Sequence, residues 1–162
     1  MPESTKQDQA AAAAEKRFMI QKIYVKDVSF ETPNSPKIFT EAWKPEVNMQ
    51  MGNTAVVLSE GVHEVTLSLT VTAKLGDKTA YLAEVQQSGI FNISGYEKKD
   101  VAAMVGSYCP NILFPFAREA LCDLVTKGGF PQLLLSPVNF DALYTEYVQQ
   151  AEKQAAKVKS KH

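Results

Sequence analysis

The sequence has few of the features that mark exported, disulfide-bonded or membrane proteins. It contains only two cysteines in 162 residues, Cys109 and Cys122. Both lie in amphipathic segments, so we interpret them as small buried side chains in a reducing compartment and not as a disulfide framework. No stretch approaches the roughly 20 consecutive apolar residues that a membrane span requires. The N-terminus lacks the apolar region and cleavage pattern of an export signal, so we expect a cytoplasmic protein.

An excess of one charge and the common catalytic motifs are also missing. The chain has 17 Lys and Arg against 18 Asp and Glu, so no overall field attracts nucleic acid or an anionic membrane. The two histidines, His63 and the terminal His162, and the two cysteines do not form a metal-binding pattern. No nucleophile elbow, Walker loop or dinucleotide fingerprint occurs. These absences weigh against an enzyme, and we expect no metal and no cofactor.

The first half of the chain alternates apolar and polar residues, as β-strands do. After a tail of residues 1–16 without an apolar pattern, we predict strands over 18–31, 43–51, 62–74 and 78–94. Gly52 and Asn53 are predicted to end the second strand, Gly76 and Asp77 to form a hairpin turn, and Gly89 to mark a bulge. The third strand is the clearest, because one of its faces carries only apolar residues, namely Val65, Leu67, Leu69, Val71 and Ala73.

The period becomes helical after Gly95. An apolar stripe at three- and four-residue spacing runs from Val101 to Leu124, and Pro110 and Pro115 are expected to kink or split that helix. A second helix is predicted after Asn139, a favourable N-cap. Its stripe consists of Phe140, Leu143, Tyr144, Tyr147, Val148 and Ala151. Strands followed by helices indicate an α+β fold, with one domain over 17–151 and a frayed basic tail over 152–162.

Apolar side chains exceed what one small sheet needs. The connecting segment Phe130–Leu135 contains three successive leucines, and it either seals the sheet or forms the wall of a groove. Met49 and Met51 favour a groove, since methionine suits promiscuous binding surfaces. The long helical stripe offers a third possibility, a contact shared with a partner subunit. Acidic residues also recur on strands, and Asp27 and Glu31 share a face if that strand is regular, which a cationic partner could use.

Several motifs, taken together, resemble the SecB family of bacterial protein-export chaperones from about Phe18 to Gln150. They are Lys26–Glu31 with Pro33-Asn34, Trp43 with Pro45–Val47, Leu82–Gln87 with Gly89–Phe91, Tyr108–Pro115 with Ala117–Glu119, and Phe130–Leu133 with Pro137–Leu143. The resemblance implies a four-stranded antiparallel sheet followed by a long kinked helix and a C-terminal helix, assembled as a homotetramer that is a dimer of dimers. It also implies ATP-independent holding of unfolded precursors and their delivery to the SecA motor of the translocase.

The resemblance carries site residues with it. The client-binding groove is expected at Trp43, Val47, Met49, Met51, Phe130, Leu133, Leu135 and Tyr144. The SecA-binding patch is expected at Asp27, Glu31, Leu82 and Glu84. Residues that affect assembly are expected from the resemblance at Ala83, Val85 and Gln87, and from the long helical stripe, which fits a helix buried at subunit contacts, at Tyr108, Ile112 and Phe116.

Two other classes of protein remain as alternatives. A small enzyme could hold an acyl or lipid substrate in an apolar cleft, with Glu84 or His63 as its acid or base. A purely structural oligomer would have no affinity for denatured protein. The absence of a catalytic motif argues against the enzyme, and a measurement of affinity for denatured protein separates the chaperone from the structural oligomer.

Overall fold

The computed structural model describes residues 15–160. Residues 1–14 of the predicted N-terminal tail and residues 161–162 of the predicted C-terminal tail lie outside the described residues. The elements are β1 (Arg17–Glu31), a short 3₁₀ turn (Lys37–Thr40), β2 (Glu46–Ser59), β3 (Val62–Leu75), β4 (Lys78–Ser94), α1 (Lys98–Ala103), a π-helical segment (Met104–Tyr108), α2 (Cys109–Lys127) and α3 (Phe140–Lys159). Strands followed by helices confirm the predicted α+β class.

The strands form one antiparallel sheet in the order β1-β4-β3-β2. The β3–β4 hairpin turns at Gly76, whose φ of 59° is the left-handed conformation that the turn requires and that glycine adopts without strain. The predicted hairpin is therefore confirmed. β1 and β2 are the two edges of the sheet, so each leaves one row of backbone hydrogen-bonding groups without a strand partner among residues 15–160.

The sheet has one covered side and one uncovered side. The apolar residues of β3 from Val65 to Ala73 are fully buried beneath α2, which packs on β3 and β4 through Cys109, Leu113, Ala117, Leu121 and Val125. Burying one such side chain contributes about 1.5–3 kcal/mol, so this layer is the main source of stability. We call the other side the open face; it carries the even-numbered residues 64–72 of β3 and 82–90 of β4, which pair in register.

Two details of the sheet differ from the prediction. β2 does not end at Gly52 but continues to Ser59, with Gly52 paired to Ser68, because an edge strand keeps its ladder hydrogen bonds through a glycine. Gly89 is not a bulge, since it pairs in register with both Ile23 and Val65. A methyl group there would lie 3.1 Å from Leu113, so this glycine allows α2 to approach the sheet closely.

The irregularities lie instead in β1 and before β2. The register of β1 against β4 shifts between Ile20 and Lys22 and again between Val25 and Asp27, which identifies two bulges that the sequence pattern did not indicate. Trp43 precedes β2, which begins at Glu46, and therefore lies in a loop and not on the strand.

The helical region is interrupted once. Residues 104–108 are π-helical, and the amide of Cys109 donates to the carbonyl of Met104, five residues earlier. The interruption lies just before Pro110, which has no amide to donate to the carbonyl four residues earlier. The predicted break is therefore confirmed there, whereas α2 continues through Pro115.

α3 begins and ends at defined positions. The Asn139 side chain accepts a hydrogen bond from the amide of Ala142 at 3.0 Å, which confirms the predicted N-cap. At its other end the helix continues to Lys159, beyond Glu152, where the sequence predicted a frayed tail. Good helix formers such as lysine, glutamine and alanine extend it although no apolar stripe packs there. Within residues 15–160, no helix combines the length and the apolar character needed to cross a membrane.

Candidate functional site

An apolar cleft of about 780 Å³ lies between the edge strand β2 and helix α3. Its floor is the covered side of the sheet, and its other walls are α1 and the π-helical segment. We call it the β2–α3 cleft, and it is lined by Met51, Gly52, Asn53, Ala55, Leu67, Ala102, Val105, Gly106, Phe140, Leu143, Tyr144 and Tyr147. Two of the predicted groove residues, Met51 and Tyr144, meet here.

The walls of the β2–α3 cleft remain partly uncovered. Leu143 is 43% exposed and Tyr147 is 70% exposed, although both belong to the apolar stripe of α3. On β2, Val47 and Met49 lie on the same side of the sheet as Met51 and are also exposed. An extended row of apolar side chains therefore meets solvent beside an edge strand whose outer backbone groups have no strand partner within residues 15–160.

A cluster of five aromatic side chains lies at the end of the sheet where β2 begins. Phe130 is its centre, with ring centroids 4.9 Å from Phe39, 5.0 Å from Tyr81 and 5.5 Å from Trp43. Phe30 packs on both Tyr81 and Phe130. Tyr81 and Phe130 are buried, and burial is the main cause that raises the pKa of the Tyr81 hydroxyl. The predicted groove residues Trp43 and Phe130 thus touch each other, and Phe39, 49% exposed, is the accessible edge of the cluster.

The leucine segment after α2 divides its side chains between core and solvent. Leu133 and Leu135 pack partly buried against the core, whereas Leu134 is 80% exposed. Cys122 on α2 donates its thiol to the carbonyl of Leu133 at 3.0 Å. This segment lines a shallower cavity of about 310 Å³ along α2, apart from the β2–α3 cleft. The segment both seals the sheet and presents an apolar surface, so each of the two interpretations of the sequence applies to part of it.

Contacts with the π-helical segment position the first turns of α3. Ser107 donates a hydrogen bond from its hydroxyl to the Asp141 carboxylate. Gly106 lies against the Tyr144 ring, and a methyl group at Gly106 would be 2.5 Å from that ring. The wall of the β2–α3 cleft therefore rests on a short irregular segment, while residues 149–160 of α3 are exposed on every side.

The open face brings the four predicted acidic-patch residues onto one surface. Asp27 pairs with Gln86, and Glu31 pairs with Leu82, so both carboxylates project on the side that carries Glu84. Glu84 lies between Ser29 and Thr70, and the Thr70 hydroxyl donates to it at 3.3 Å. The expectation that Asp27 and Glu31 share a face is met, because the bulge in β1 lies before Asp27 and not between the two.

The predicted assembly residues separate into two groups. Tyr108 and Phe116 are 50% and 48% exposed on the outer side of the helical region, and Ile112 lies between them and is partly buried. Beside them, Ile20, Val25 and Val28 of β1 are also exposed. We call these six residues the β1–α2 surface. Ala83, Val85 and Gln87, in contrast, are buried on the helix-facing side of β4, where Gln87 donates to the carbonyl of Tyr24 at 3.0 Å.

The residues proposed for catalysis do not come together. His63 pairs with Phe91 and Val57 on the helix-facing side of the sheet, whereas Glu84 belongs to the open face. The enzyme alternative needs one of them in the apolar cleft, and neither residue lines the β2–α3 cleft. Among residues 15–160, no group of three potential ligands is arranged to hold a metal ion. The geometry gives no support to the enzyme alternative.

Two features of these surfaces were not identified from the sequence. The sequence predicts that Leu143 and Tyr147 belong to an apolar stripe, but their incomplete burial depends on how α3 packs against β2. A polar cluster on the open face joins Glu64 to Lys26, 2.7 Å away, and to the Tyr24 hydroxyl. The alternation of β3 predicts that Glu64 lies on the face opposite Val65. The bulge that brings Lys26 to that face cannot be predicted from the alternation of β1.

Comparison with known proteins points to one family. A family model described as preprotein translocase subunit SecB matches residues 11–151. The protein-export protein SecB of Nitrosococcus oceani is 60% identical over 95% of this chain and 95% of its own length. The protein of the same name from Methylococcus capsulatus is 60% identical over 87% of this chain and 91% of its own length.

A solved structure has the same fold. It is a SecB-like chaperone of Mycobacterium tuberculosis in complex with a peptide from an antitoxin, and it is similar with a TM-score of 0.64, covering 75% of this chain and 91% of the other. The two sequences are 15% identical, so the likeness concerns the fold alone.

Proposed function

This chain belongs to the SecB family, whose members are chaperones of protein export and not enzymes, and we propose that it holds unfolded precursors in the β2–α3 cleft without ATP. The observation that carries the proposal is the partial exposure of apolar side chains along this cleft. A folded protein has already buried its apolar residues, whereas an unfolded precursor can insert them between β2 and α3. Selection then depends on exposed apolar surface and not on sequence.

The proposed binding mode combines burial with backbone pairing. The cleft and the exposed residues Val47 and Met49 would receive apolar side chains of the client, with Trp43, Phe130, Leu133 and Leu135 completing the groove around the aromatic cluster and the leucine segment. The free edge of β2 would pair with the client backbone. Each 100 Å² of apolar area buried contributes about 2.5 kcal/mol before the ordering entropy of the client is subtracted.

Site-specific photocrosslinking tests this location. A photoreactive residue at Tyr147, in the cleft, should form adducts with a reduced, unfolded precursor in the absence of nucleotide. The same residue at Ser29, on the open face, should form few. Equal adduct yields at the two positions would contradict the proposed groove.

We further propose that the open face delivers the complex to SecA. Asp27, Glu31 and Glu84 would meet cationic groups of SecA, and Leu82 would add an apolar contact. The charge reversal Asp27→Lys with Glu84→Lys should abolish SecA binding and leave client binding unchanged, because the cleft lies on the other side of the sheet. Undiminished SecA affinity at physiological salt would refute this assignment.

Assembly would use the β1–α2 surface. Exposed apolar side chains on an edge strand and on the adjacent helix favour an isologous contact between two copies, and two such dimers would form the homotetramer. Ala83, Val85 and Gln87, buried beneath that surface, would act on assembly through packing. The pair Tyr108→Ser with Phe116→Ser should lower the mass seen by light scattering. We place the assembly in the cytoplasm, where it would meet precursors before export.

A further inference from the structure

The open face is divided into two regions of different electrostatic character. In one region, Glu64 binds both Tyr24 and Lys26. In the other region, Asp27, Glu31 and Glu84 form no ion pair within residues 15–160, where the ion pairs are Lys26–Glu64, Lys78–Glu41 and Lys127–Asp123.

Glu64 is fully engaged in its cluster. One carboxylate oxygen accepts from Lys26 Nζ at 2.7 Å, and the other accepts from the Tyr24 hydroxyl. The hydrogen bond from Lys26, followed by that from Tyr24, lowers the pKa of the Glu64 carboxyl. The negative charge of Glu64 on the open face is therefore already compensated before a cationic partner approaches.

The bulge in β1 explains how a cation reaches this position. The register shifts between Val25, which pairs with Gln87, and Asp27, which pairs with Gln86, so Lys26 is the inserted residue. In a regular strand Asp27 would lie on the side opposite Tyr24. With the insertion, Tyr24 and Asp27 share the open face, and Lys26 reaches across β4 to Glu64 on β3. The compensated cluster thus directly adjoins the uncompensated acidic region.

We propose that the Tyr24–Lys26–Glu64 cluster is a specificity element that confines a cationic partner to the Asp27–Glu84 region by neutralising the neighbouring carboxylate. This inference rests on the proposed docking of SecA at the open face and adds the element that limits its footprint. An uncompensated Glu64 carboxylate would enlarge the acidic surface that attracts the cationic partner, whereas a Lys26 ammonium group without its ion pair would repel that partner.

The two members of the ion pair give opposite expectations. Lys26→Met leaves Glu64 uncompensated and should tighten SecA binding, whereas Glu64→Gln frees Lys26 beside Asp27 and should weaken it. Each variant should change the Kd for SecA roughly two- to fivefold at low salt, which corresponds to the energies measured for exposed ion pairs. The double variant Lys26→Met with Glu64→Gln restores the balance and should return to within about 1.5-fold of wild type if the two effects cancel.

The matched control is the exposed ion pair on α2. Lys127 and Asp123 are 2.8 Å apart, and Lys127→Met and Asp123→Asn change the net charge by the same amounts as the two test variants. Both controls should bind SecA as the wild type does. Equal shifts in the test and control variants would overturn the proposal, since net charge alone would then explain them. Thermal unfolding of every variant establishes that each is folded.

A second titration with a synthetic oligolysine peptide separates this inference from the SecA assignment. If Lys26→Met, Glu64→Gln and their double variant show the expected pattern with oligolysine but wild type does not bind SecA, the cluster still confines a cationic ligand and the SecA assignment fails. The opposite outcome has two parts. If wild type binds SecA and Asp27→Lys with Glu84→Lys abolishes that binding, the SecA assignment stands. If Lys26→Met and Glu64→Gln then change neither the SecA nor the oligolysine titration, the specificity element is refuted.

Discussion

Removing two partly exposed apolar side chains of α3 should weaken client binding while the protein stays folded. We consider the double variant Leu143→Ser with Tyr147→Ser. Leu143 is 43% exposed and Tyr147 is 70% exposed, so neither contributes its full area to the core. Replacing Tyr147, which is mostly exposed, should change the free energy of unfolding by about 0.5 kcal/mol or less. Leu143 is more than half buried, so its replacement should cost about 1–2 kcal/mol, a loss that a domain of ordinary stability tolerates. A lower client affinity would therefore report on the cleft itself.

The expected loss follows from the area that a client can still cover. Full burial of leucine contributes about 1.5–3 kcal/mol, so covering the exposed fraction of Leu143 contributes roughly 1 kcal/mol. A tyrosine buries about 150–250 Å², so the exposed fraction of Tyr147, 70%, contributes about 3.5 kcal/mol at the middle of that range and roughly 25 cal/mol per Å². A client covering about half of the combined area would lose about 2 kcal/mol, which is roughly a thirtyfold weaker Kd.

Fluorescence anisotropy of a labelled, reduced and unfolded precursor measures this Kd without nucleotide. Val158→Ser is the control, because Val158 is 63% exposed on the same helix but lies outside the cleft. It should bind as the wild type does. The reasoning would be refuted by a double variant that binds within twofold of wild type, or by an equal loss in Val158→Ser.

Three further predictions address packing and ionisation. Gly106→Ala should lower the free energy of unfolding by about 1–3 kcal/mol, because its methyl group would press on Tyr144, whereas Gly52→Ala, with open space around it, should cost less in the same denaturant titration. Cys109 should resist alkylation in the native state at pH 8, since burial raises its pKa to about 12, and rapid modification by iodoacetamide would contradict this. Glu64→Gln should make the free energy of unfolding less sensitive to acid. Folding lowers the pKa of Glu64, so its carboxylate stabilises the folded state at pH values above its ordinary pKa. That stabilisation is lost as the pH falls through the lowered pKa of the folded state. Unchanged acid unfolding would contradict that contribution.

The regular parts of the fold could be predicted from short sequence patterns and from a few individual residues. The apolar side of β3, from Val65 to Ala73, is buried as the alternation predicts, because a strand with one apolar face has one stable orientation on a core. Gly76 and Asn139 were equally informative, since a left-handed turn and a helix N-cap each demand particular residues. Gly52 misled the prediction, because an edge strand tolerates a glycine that would weaken a central strand.

The candidate site was only partly readable. Met51 was indicated by its residue type as well as by the resemblance to the family, and Tyr144 by the resemblance. The two share the cleft, but no local pattern shows how far α3 covers Leu143 and Tyr147. That exposure depends on the contact of Gly106 with Tyr144, which joins segments distant in sequence. A bulge such as that at Lys26 is likewise fixed by pairing with β4 and leaves no mark in the alternation of β1 itself.

The central claim is that this chain recognises the unfolded state of a precursor through apolar surface and needs no nucleotide. The most direct measurement is competition, in which a reduced, denatured precursor and its own native form compete with the labelled unfolded precursor for binding in nucleotide-free buffer. The account predicts that the denatured form displaces the label and that the native form does not. Equal displacement by the native form, or a requirement for ATP, would contradict it.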